Sequence, residues 1–175
     1  MPSTSSVPRH LRAVFLLLLL LGGCGFRPIY GGGTGGDVAQ DLANVEIGLI
    51  REQVGQQLRN ELMDRFYTVG RPAAADYRLD TALAVTEAKL AFRKDTTAAR
   101  AEVRMTATYL LKDRAGAVAF RGLSRSSAGY SILTDQYGTL VNERDAYDQA
   151  VERLADDITR RLALYMKESG GRPEG

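Results

Sequence analysis

The sequence predicts an α/β domain of two layers, with two helices covering one face of a mainly antiparallel four-stranded sheet in the order β-α-β-β-β-α. Three observations carry this. Apolar residues recur at every second position over 77–85 and 103–111, and at every third or fourth position over 54–66 and 147–165; turn-forming residues separate the stretches. A sheet with one apolar face needs a cover, and two one-sided helices supply it.

The elements follow in chain order. Val45, Ile47 and Leu49 alternate within 44–50 and predict a strand. The period then changes: Val54, Leu58, Leu62 and Phe66, with Met63 beside them, form an apolar stripe on a helix of roughly 51–68. Glu52 suits its positive start, and Gly70 and Pro72 supply its stop. From Asp76 the period is two again. Tyr77, Leu79, Thr81, Leu83 and Val85 fall on one face, and Arg78, Asp80, Ala82, Ala84 and Thr86 on the other. Beyond the loop "AFRKDTTAAR", Val103, Met105, Ala107, Tyr109 and Leu111 alternate with Arg104, Thr106, Thr108, Leu110 and Lys112. "KDRAG" is a turn signal, and a third run extends from Val118 toward Ile132, so the strands form a meander. The last helix, capped by Asn142, buries Tyr147, Val151, Leu154, Ile158, Leu162 and Tyr165. Asp156 with Arg160 and Asp157 with Arg161 have the acid-first spacing of four expected of a solvated helix face.

The ends of the chain are of a different kind. Arg9, His10 and Arg12 precede an apolar run from Ala13 to Leu21, then Gly22 and Gly23. A spanning helix needs about 18 or more apolar residues, so this run is an export signal and not an anchor. The residues before the only cysteine read Leu21, Gly22, Gly23, which resembles a bacterial lipobox. In such a site the thiol takes a diacylglycerol, the chain is cut before the cysteine, and the freed amine is acylated. Cys24 is then the lipidated first residue of the mature protein. The expected organisation is a signal over 1–23, a lipidated and glycine-rich segment over 24–37, one domain over 38–168, and a tail over 169–175. "GGGTGGD", 31–37, lacks the Gly-Lys-Ser/Thr of a phosphate loop and reads as a linker.

Charge and inventory exclude several functions. Arg9 and Arg12, two of the 23 basic residues against 21 acidic ones, leave with the signal, so the mature chain is formally neutral. That argues against nucleic acid as a partner. The single histidine, His10, leaves as well, and the thiol is consumed by lipid. Ser-His-Asp and Cys-His catalysis and the usual zinc sites are excluded, and no cofactor or metal is expected. "GLSRS" departs from the nucleophile elbow Gly-x-Ser-x-Gly at its last position.

Four stretches taken together carry a resemblance: "CGFRPIYG" after the lipobox, "IREQVGQQLRNEL" on the first helix, "RAEVRMTATYLLKDRAG" on a strand and its turn, and "AYDQAVERLADDITRRLA" on the last helix. They resemble the lipopolysaccharide-assembly lipoprotein family LptE. The resemblance implies a non-enzymatic outer-membrane lipoprotein of a Gram-negative envelope, held inside the β-barrel LptD as a plug and assembly partner. It also implies binding of lipopolysaccharide through basic side chains. The expected lipopolysaccharide contacts are Arg93 and Lys94 in the loop, with Arg100 and Arg104 at the start of the next strand, since Arg and Lys engage phosphates. The short side chains Ala82, Ala84, Thr106 and Thr108 on the open sheet face are expected to meet the barrel wall. The alternative is a free-standing envelope lipoprotein that binds a small ligand or peptidoglycan.

Overall fold

The computed structural model describes residues 35–68, 70–71, 74–91 and 99–169. Helix α1 (Gly35–Ala43) leads into strand β1 (Val45–Ile47) and helix α2 (Gln53–Phe66). Three long strands follow, β2 (Tyr77–Ala91), β3 (Ala99–Asp113) and β4 (Val118–Ile132), and then helix α3 (Gln136–Ser169). The sheet order is β1-β2-β3-β4. β1 pairs parallel to β2, while β2 with β3 and β3 with β4 are antiparallel. The expected α/β sandwich with a mainly antiparallel sheet is therefore the observed one.

Each long strand has 15 residues and α3 has 34, so at about 3.3 Å and 1.5 Å per residue both run close to 50 Å, and one helix covers the whole sheet length. α2, with 14 residues, covers less than half of that. The consequence is visible along β2: Tyr77 and Leu79 are buried, while Leu83 and Val85, further along the same face, are only half-buried. The core forms where Leu79, Leu111, Tyr109, Met105 and Val103 of the sheet meet Leu58, Leu62 and Phe66 of α2 and Val151, Leu154, Ile158 and Leu162 of α3. Tyr67, just past α2, donates its hydroxyl to the Val45 carbonyl at 3.0 Å and ties that helix to the edge strand.

Several local expectations are corrected. α1 was not expected; Gly35, Gly36 and Asp37 of the supposed linker belong to it, and packing of Val38, Leu42 and Ala43 outweighs the low helix propensity of glycine. β1 stops at Ile47, and Leu49 is 72% exposed. Glu52 lies before α2 at φ 66°, with no side-chain hydrogen bond to the helix. α3 begins six residues before Asn142. Its cap is Asp135, whose carboxylate accepts the backbone N–H of Tyr137 at 3.2 Å and of Gly138 at 2.9 Å. Asn142 is inside the helix and donates to the Ser131 carbonyl of β4 at 3.1 Å. Asp156 pairs with Arg65 of α2 at 2.7 Å instead of Arg160, which pairs with Asp157. The Asp157–Arg161 pair forms as expected, at 2.7 Å.

Candidate binding surface

Both helices that cover the sheet lie on one side of it, because the apolar alternation of β2 and β3 has one register. The other face is assembled row by row from the polar alternation. Ala82 stands opposite Thr108 and Ala84 opposite Thr106. The four residues expected to share a face are therefore a contiguous block, with Ala82, Ala84 and Thr108 exposed and Thr106 half-buried. β4 extends these rows, placing Leu123 beside Thr108 and Arg125 beside Thr106.

Charge is distributed unevenly on this face. At one end Arg78 donates to Asp80 at 3.0 Å and lies 3.3 Å from Glu46, while Lys112 reaches Asp80 at 2.8 Å. Hydrogen bonds from Lys112 and Arg78 hold the Asp80 carboxyl below the ordinary carboxylate value. Such exposed pairs contribute at most about 1 kcal/mol each. Beyond the small block, Arg104 pairs with Glu102 at 2.5 Å.

Of the basic residues expected to contact lipopolysaccharide, Arg100 and Arg104 are exposed on this face, four residues apart on β3. Arg93 and Lys94 lie outside the described residues. Arg100 also borders a cleft of about 470 Å³ at the β4 edge with Tyr130, Asn142, Asp145 and Gln149. Gly129 leaves that edge without a side chain. Opposite, on the helix side, Tyr130 donates to Glu87 at 2.6 Å; burial, and then this bond and the Glu87 charge, push its phenol above the ordinary value.

Sequence reasoning missed the polar connection between sheet and helix. The Tyr109 hydroxyl meets Ser124 Oγ at 3.3 Å, and Ser124 donates to Asp157 Oδ2 at 2.7 Å. Arg161 Nε donates to the same oxygen at 2.7 Å, and Arg160 to the other. Burial works to raise the Asp157 carboxyl, but the bonds from Ser124 and Arg161, with the Arg161 charge, prevail and hold it low. The signal available was a pair of serines, Ser124 and Ser126, at helix-facing positions of β4. A folded-state value below the unfolded one stabilises above about pH 4 and is lost as pH falls through the lower value. Thermal melts are thus expected to show a declining midpoint below about pH 4, and Asp157→Asn is expected to cost about 1 kcal/mol at neutral pH and to flatten that decline. An unchanged acid limb in the variant assigns the decline to other carboxylates.

Helices on one face of a mainly antiparallel sheet, with the other face open and a continuous core between the layers, define a two-layer α/β domain. The model of the family LptE, lipopolysaccharide-assembly, matches residues 41–162, more than half of the chain, and the chain belongs to that family. No curated protein matches it in sequence. Among solved structures it is similar to a protein of Caulobacter crescentus CB15 classed as a lipoprotein, with 28% identity and a TM-score of 0.60 over 78% of this chain and 98% of that one. It also aligns with a minor lipoprotein of Acinetobacter baumannii, at 18% identity and a TM-score of 0.46 over 69% of this chain and 91% of that one. The rare lipoprotein B of Shewanella oneidensis aligns at 12% and 0.41 over 72% and 95%.

Proposed function

We propose that this protein is an outer-membrane lipoprotein, anchored through acyl chains on Cys24, that works without catalysis as plug and assembly partner of the LptD β-barrel. In that role it supports insertion of lipopolysaccharide into the outer leaflet. Membership of the lipopolysaccharide-assembly family supports the pathway. The observation that carries the docking mode is the contiguous block of Ala82, Ala84, Thr106 and Thr108, where two neighbouring strands expose only short side chains. Small side chains allow a second backbone surface to approach closely, and charged ends suit a water-filled lumen. Arg93, Lys94, Arg100 and Arg104 then serve as phosphate contacts for lipopolysaccharide, as forked donors and point charges.

Photoreactive side chains at positions 84 and 106 in cells test this reading. The expected result is an adduct with the outer-membrane barrel at both positions. Failure at both sheet positions rejects this orientation. Copurification with no barrel at all rejects the plug.

A further inference from the structure

We propose that the groove between the β4 edge and the middle of α3 is a second anion site, which takes a phosphate-bearing group apart from the basic residues at the start of β3. Three hydrogen bonds clamp α3 onto β4 here. Ser126 donates to the Ala150 carbonyl at 2.8 Å, Arg153 Nη1 to the Ser127 carbonyl at 3.0 Å, and Ser124 to Asp157 at 2.7 Å. The clamp leaves an open cleft of about 490 Å³ whose charged lining is four arginines and two aspartates.

Both aspartates are already engaged. Asp156 is held by Arg65 of α2, from outside the cleft, and Asp157 accepts from Ser124, Arg160 and Arg161. Two arginines share that one carboxylate. Arg125 has no carboxylate partner among the described residues, and Arg153 bonds only to uncharged acceptors, the Ser127 carbonyl and Gln149 Oε1 at 3.1 Å. A guanidinium carries five N–H donors, so Arg153 retains free ones and Arg125 retains all of them. Two cations without a countercharge, on facing elements whose spacing is fixed by the clamp, form a forked receptor for phosphate oxygens. Leu123, 40% exposed on the rim, adds apolar surface beside the charge. The ligand class is a phosphate monoester or diphosphate, whether a free solute or a lipid headgroup.

Calorimetry of the mature lipoprotein in nonionic detergent at low salt tests the site. One arm titrates inorganic pyrophosphate, and the other titrates micelles doped with phosphatidic acid, a phosphate monoester, against undoped ones. Saturable binding of either probe, weakened about tenfold by Arg125→Gln and further by adding Arg153→Gln, supports the site. Binding of pyrophosphate identifies a free phosphate as sufficient; binding of doped micelles alone identifies a lipid headgroup. Arg121→Gln, on the same strand but outside the cleft, is expected to change nothing. No binding in either arm overturns the proposal, and so does an equal loss with Arg121→Gln, which marks diffuse attraction. Unchanged thermal melts of the Arg125 variant exclude misfolding as the cause of lost binding.

Discussion

The variant carrying Leu21→Ala, Gly23→Ala and Cys24→Ser is expected to leave the membrane and appear as a soluble periplasmic protein. The first two changes create an Ala-x-Ala site, so the signal is still removed. The third replaces the sulfur nucleophile by a hydroxyl, which forms no thioether under the same chemistry. Each buried methylene contributes about 0.8 kcal/mol, and two or more chains anchor stably where one holds only marginally. Losing all of them is therefore an all-or-none change in partition. Among the described residues no helix is long and apolar enough to cross a membrane. Detergent phase separation of the two proteins gives the readout. Wild-type protein in the aqueous phase, or an unmodified mass at its first residue, sinks the lipid anchor.

Gly122→Val is expected to destabilise the domain by about 3 kcal/mol, at the upper end of overpacking costs. Tyr109 is fully buried, and its ring lies against the bare backbone of Gly122, its partner on β4. A Cβ there falls inside the contact distance of the ring carbons and the hydroxyl. The ring is held in place because its hydroxyl meets Ser124, which continues to Asp157. Strand glycine here marks a close approach, not a weak point. For a domain of this size the midpoint of thermal unfolding falls by roughly 10 °C. Tyr109→Leu in the Gly122→Val background is expected to recover part of the loss, since neighbouring changes couple. Equal melts for Gly122→Val and wild type, or strict additivity in the double variant, contradict this packing account.

Most of the fold was legible because periodicity reports burial directly. Leu58, Leu62 and Phe66 of α2, and Val103, Met105 and Leu111 of β3, are buried where alternation or helical spacing put them. The boundaries were less legible. Asn142 and Asp135 are both good caps in isolation. Asp135 prevails because the turn after β4 brings its carboxylate to two free N–H groups, leaving Asn142 to satisfy a carbonyl on the sheet edge. α1 escaped notice because glycine and two acids give it little propensity of its own, and its stability comes from packing.

The candidate surface divides in the same way. That Ala82, Ala84, Thr106 and Thr108 share a face follows from a period of two and needs no coordinates. Asp157, by contrast, reads as a solvated helix charge, yet it is the point where two arginines and a strand serine converge. The pairing of Asp156 with Arg65 likewise joins residues 91 positions apart.

Local chemistry determined the inward face of each long element and carries the expectation of an export signal and a tethering cysteine, since each depends on near neighbours along the chain. Only the tertiary structure decided which carboxylate each arginine meets, where β4 leaves an open edge, and why one strand position must be glycine. Those outcomes depend on the register between β3 and β4 and on how α3 lies across them, and both are set by long-range packing to which no short stretch of sequence is subject.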